Sequence, residues 1–148
     1  MRTRFFGVVL AVVTGCAGDD GPPTTDSGTT PTEALDIVGA YVDDFDTAHE
    51  ITETTWTQTY PGYDPLTFAI SQWGDDWLVA QNGADNAYSA DLWSRFDWVW
   101  EGGVLYVCQS AYDAVDEDAA VATPAADGSD LDAGCGGFPF SALTPVTR

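Results

Sequence analysis

Few side chains in this sequence have the type and spacing to do chemistry. His49 is the single histidine. Beside Glu50 it has the form of a general base, but no serine or cysteine motif accompanies it, and a histidine at a turn or strand start is the plainer reading. Asp127, Asp130 and Asp132 stand in the run DGSDLD, an oxygen-rich loop of the kind that holds calcium. Their three-then-two spacing is not that of an EF-hand, and a solvated acidic loop accounts for it as well. Asp43, Asp44 and Asp46 are read in the same way. Paired carboxylates hydrolyse glycosides, and 19 Asp with 5 Glu supply many pairs by composition alone. Nucleophile elbows, phosphate-cradling glycine loops and HExxH are absent. Arg95 shares a strand face with Asp97, so it serves either as an ion-pair partner or as an anchor for the anionic group of a ligand. Trp56, Trp73, Trp77 and Trp93 fall near strand ends or turns, where exposed indoles stack on sugar rings and buried ones simply fill a core. These residues favour a domain with no catalytic activity and no resident cofactor; calcium is the one ion they suggest.

The elements that must hold these side chains are bounded by composition. The chain has 148 residues, 24 acidic against 4 basic, and a formal charge of −20. With no lysine, it lacks the basic surface that neutralises nucleic-acid phosphates or grips anionic lipid. Yet 45% of its residues are apolar, with 6 Trp, 6 Tyr and 7 Phe, enough bulk for a core despite the charge. One domain is the natural count for this length.

Arg2 and Arg4 precede an uncharged apolar stretch from Phe5 to Val13, too short to span a bilayer but laid out as a secretory signal. It ends in Val13-Thr14-Gly15-Cys16, which resembles the lipobox of bacterial lipoproteins. The resemblance implies cleavage before Cys16 and a diacylglyceryl group on its sulfur, so residues 1–15 are the signal peptide. It also implies that the chain partners the lipid bilayer through acyl chains, two or three of which make a lasting anchor. Ala17 after the cysteine points to export to the outer membrane by the sorting rule of enteric bacteria. Residues 16–34 are rich in Gly, Pro, Ser, Thr and Asp and form a disordered tether. The mature chain then carries 24 acids against Arg95 and Arg148.

Residues 35–148 form the folded unit, an acidic β-rich domain. Ile37 to Val42, Ile51 to Tyr60, Leu66 to Ser71 and Trp77 to Asn82 read as strands from their β-branched content or their period of two. Ser94 to Tyr112 is the clearest hairpin, turning at Gly102-Gly103. A two-residue loop there pairs Trp100 with Leu105, Trp98 with Val107, Val99 with Tyr106 and Asp97 with Cys108. Phe96, Trp98 and Trp100 share one face, assigned to the core, so Cys108 points the other way and Arg95 falls opposite Ser110. Asp113 is expected to cap a short helix from about Ala114 to Ala122, which Pro124 stops.

With Cys16 lipidated, Cys108 and Cys135 remain as an even pair in an exported chain, and a disulfide between them is expected. The tail carrying Phe138 and Phe140 should then lie across the face opposite the tryptophans. An all-β fold follows, mainly an antiparallel meander of about six strands closed as a small barrel or sandwich, with one short C-terminal helix. Gly39-x-Tyr41 near the first strand is similar to the Gly-x-Trp of lipocalins, whose up-and-down order would suit these hairpins. The stretches SRFDWVW, CQSAYDA and CGGFPFSALTP resemble a family of uncharacterised lipoproteins of myxobacterial type, which brings no activity with it. The function expected is a membrane-anchored lipoprotein with a non-enzymatic binding or structural domain, taking a small apolar ligand or a glycan. A glycan-binding surface module and a carboxylate-based hydrolase are the alternatives.

Overall fold

The computed structural model describes residues 34–147. The signal peptide, Cys16, the tether as far as residue 33, and Arg148 lie outside the described residues. Eight strands lie within them: β1 (Gly39–Val42), β2 (Ala48–Ile51), β3 (Thr55–Thr59), β4 (Leu66–Trp73), β5 (Trp77–Asn82), β6 (Trp93–Glu101), β7 (Val104–Ala114) and β8 (Ser141–Pro145), with α1 (Glu117–Val121) between the last two. Every strand pairs antiparallel with its neighbours in sequence, and β8 returns to β1, so the sheet closes as a barrel and not as a sandwich. Closure leaves no free strand edge.

Alternation along each strand sends one set of side chains inward. Ile51, Trp56, Phe68, Leu78, Ala80, Phe96, Trp98, Leu105, Val107 and Leu143 form the buried interior, joined by Leu35 and Ile37 from the segment before β1. Trp56 stacks on Phe96 with centroids 4.5 Å apart, and Phe68 meets Phe96 edge-on. The Gly39-x-Tyr41 spacing has a local reason. A Cβ at position 39 would come within 3.0 Å of the Tyr41 ring, and that ring is buried with its hydroxyl donating to the Ile37 carbonyl.

The hairpin at Gly102 and Gly103, both at positive φ, holds the expected register from Trp100–Leu105 to Asp97–Cys108. It then shifts: Arg95 pairs with Ala111 and not Ser110, because a bulge inserts one unpaired residue. Trp100, expected in the core, is 43% exposed, although Leu105, its partner across the hairpin, is fully buried. The single strand expected from Ile51 to Tyr60 is broken, because the Thr52 hydroxyl accepts from the amides of Thr54 and Thr55 and turns the chain. The helix is shorter than expected and starts later. β7 continues to Ala114, and Asp116, not Asp113, caps by accepting from the Ala119 amide.

Cys108 and Cys135 are joined by a disulfide with Cα atoms 5.5 Å apart. The tail beyond Cys135 is only briefly a strap. Phe138 is exposed and Phe140 buried, after which Ser141–Pro145 enters the barrel as β8 between β7 and β1. The outside of β5, β6 and β7 is covered by α1, where Val79 and Ala120 are fully buried.

Candidate functional site

The barrel interior changes character toward one end. On β3 the inward series runs Trp56 then Gln58; on β5 it runs Leu78, Ala80, Asn82; on β7, Leu105, Val107, Gln109; and on β6, in reverse, Trp98, Phe96, Ser94. The inward position nearest this mouth is thus an amide or hydroxyl on four strands, above a floor of aromatic rings. Gln58, Asn82 and Ser94 are all buried.

These groups satisfy one another only in part. Ser94 Oγ donates to Asn82 Oδ1 at 2.6 Å and accepts from Gln109 Nε2 at 3.0 Å. The Asn82 amide donates to the carbonyls of Ser89 and Tyr112, fixing the loop of residues 83–92 to the end of β7. Asn86 makes two 2.8 Å bonds with the Thr67 backbone and ties the same loop to β4. Ser89 and Asp91 sit at positive φ there, a strained conformation that persists only where the surroundings hold it. Gln58 Oε1 accepts from the Tyr60 hydroxyl at 3.3 Å. Among the described residues Gln58 Nε2 and Gln109 Oε1 have no protein partner, so one end of each carboxamide remains open. Both residues line a cavity of about 250 Å³ with Phe68 beneath and Tyr60, Tyr88 and Tyr112 around it. A second hollow of about 390 Å³ shares Tyr60, Leu66 and Tyr88 and adds Tyr63, Asp64 and Asp85. Tyr63 and Tyr88 are 77% and 78% exposed; with Tyr60 and Tyr112 they make an aromatic rim around amides that carry no charge.

Of the residues singled out from sequence, His49 alone lies beside the mouth, across the β2–β3 pair from Gln58: Trp56 Nε1 donates to its Nδ1 at 3.2 Å, and Nε2 faces Asp43 Oδ2 at 3.4 Å. An indole can only donate, so Nδ1 must carry the lone pair and Nε2 the proton. Both nitrogens are engaged, unlike those of a free general base. Trp56 is fully buried, Trp73, Trp77 and Trp93 are half-buried, and the Trp77 ring lies under the Arg95 guanidinium at 4.9 Å. Arg95 itself is buried on the outer face. It donates to Asp97 through Nε and Nη2 and to the Val121 carbonyl through Nη1, while Ser110 donates to the same carboxylate. Asp127 and Asp130 accept from the amides and hydroxyl of their own loop. Among the described residues no three His, Cys, Asp or Glu side chains gather as a metal site. The mouth residues went unremarked in sequence, although polar side chains recurring at one end of the inward series were a readable signal.

Burial pushes the His49 imidazole below its usual range, and the neighbouring Asp43 only partly restores it. The folded chain therefore prefers the neutral ring, and below the ordinary value of 6.5 the unfolded state takes up the extra proton first. The stability due to this residue is present above that pH and is lost as the pH falls through it. Asp43 acts in a separate window. Burial would raise its carboxyl, but the amides of Phe45 and Thr47 and the His49 ring more than offset this and hold it low, so its contribution is lost only as the pH falls below 3.8. Melting temperature should therefore drop between about pH 7 and 5 in the native chain and stay flatter in His49→Gln. Identical profiles for the two proteins would refute this.

Comparison with known protein families, with characterised proteins and with solved structures yields no match for this chain.

Proposed function

We propose that the protein is an exported, lipid-anchored binding protein without catalytic activity, whose barrel takes a small ligand at its polar mouth. The observation that carries this is the cavity lined by buried Gln58 and half-buried Gln109, whose carboxamides each keep one end without a protein partner that a ligand would satisfy. These ends face the cavity, where a ligand would replace water as their hydrogen-bond partner, and an eight-stranded barrel can hold one small ligand where side chains do not fill it. The loops around the mouth are fixed by Asn82 and Asn86, so little ordering remains to oppose binding. The lipobox-like run at Cys16 supports anchoring in the envelope, and the Cys108–Cys135 disulfide suits an oxidising compartment outside the cytosol. Ala17 supports the outer membrane as the destination.

Native mass spectrometry of the protein extracted from membranes in mild detergent tests both parts. The expected spectrum shows a chain that begins at a diacylglyceryl-modified Cys16 and retains a non-covalent small molecule. Gln58→Leu, similar in size, should lose that molecule and keep its fold. An unmodified Cys16 would refute the anchor; a chain with nothing bound, or a Gln58→Leu variant that keeps the ligand, would refute the mouth as the site.

A further inference from the structure

We infer that the mouth selects an organic cation, an alkylammonium group carried by a small molecule with a hydroxyl or carbonyl to reach the amides. This rests on the binding reading above and specifies its ligand class. The outer hollow places Tyr60, Tyr63 and Tyr88 around one space with Asp64 and Asp85 at its edge. The negative faces of tyrosine rings attract ammonium groups, most strongly where water is partly excluded, and two carboxylates at the rim add to that attraction. No basic side chain lines either hollow, and Arg95, the one cation among the described residues, is committed to Asp97 on the outside of the barrel. An anionic ligand would find no cationic side chain here and would be repelled by a chain of net charge −20. The inner cavity supplies the second half of the site. Gln58, 6% exposed, keeps one end of its carboxamide without a protein partner there, and Gln109 does the same. A ligand with its ammonium among the tyrosines and a neutral polar arm pointing down to these amides would fill both hollows through the residues they share.

The test uses choline, its uncharged carbon analogue 3,3-dimethylbutan-1-ol, and a panel of neutral mono- and disaccharides. Each is titrated calorimetrically into the full mature chain at physiological ionic strength, with potassium chloride as the control for diffuse counterion attraction. Saturable choline binding at least about tenfold tighter than that of the neutral analogue is expected. It should weaken about as much in the doubly substituted Asp64→Asn, Asp85→Asn chain and in Tyr88→Ala, all at exposed positions. Equal binding of choline and its neutral analogue, or an affinity unchanged by these substitutions, would overturn the cation assignment. Binding of neutral sugars without choline would overturn it too, while leaving the small-ligand reading in place. If no probe binds and no ligand is retained from the membrane, both readings fall.

Discussion

Replacing Arg95 by Gln is expected to lower the unfolding free energy by about 3 to 5 kcal/mol, because it leaves the Asp97 carboxylate buried without its counter-charge. Asp97 is 6% exposed, and its remaining hydrogen bond, from Ser110, cannot replace a guanidinium that meets it through two nitrogens. The same substitution removes the bond that ties β6 to the Val121 carbonyl at the end of α1 and the cation over the Trp77 ring. A loss of this size is a large part of the stability of a domain this small. The companion variant, Arg95→Met with Asp97→Leu, removes both charges and should recover most of the loss, since apolar replacements of a buried ion pair are often neutral or better. Urea unfolding of the three proteins gives the answer. A Gln variant as stable as the native chain would mean that Arg95 is not a structural ion and would reopen the role of ligand anchor.

Removing the disulfide, as Cys108→Ser with Cys135→Ser, is expected to cost about 3 to 4 kcal/mol on the chain-entropy account. The bridged residues are 27 positions apart, and the loop they close contains α1. The consequence for the barrel is specific, because β8 begins at Ser141, shortly after Cys135, and holds β7 to β1. Amide exchange over residues 141–144 should therefore quicken more than exchange in β3 and β4. Unchanged stability, or uniform acceleration across all strands, would show that the crosslink does not hold the closing strand.

How much of this was legible in sequence depends on which local rule applied. The β6–β7 hairpin was read correctly from its turn to Cys108, because paired glycines at positive φ set the loop length and the period of two then sets each pair. The reading failed at Ser110, where the bulge adds a residue that no alternation reveals. β2 was hidden because Thr52, Thr54 and Thr55 favour strands as residues while their hydroxyls make a turn between them. The tail looked like a strap because its disulfide and its prolines were visible, whereas its pairing with both β7 and β1 depends on contacts far apart in sequence. The tryptophans drew attention as sugar platforms by type alone, yet burial and a cation commit Trp56 and Trp77 to the fold. The mouth is built from amides and tyrosines, ordinary residues that gain a role only once the barrel brings the ends of four strands together.

Side-chain and backbone amide shift mapping by NMR, with a small-molecule fragment library added to the isotope-labelled chain, tests the central claim most directly. The strongest perturbations should fall on the Gln58 and Gln109 carboxamides and on residues 60–66 and 84–89. Perturbations gathered instead at a separate hollow of about 490 Å³ on the barrel's outside, lined by Cys108, Pro124 and Phe138, or none at all, would contradict it.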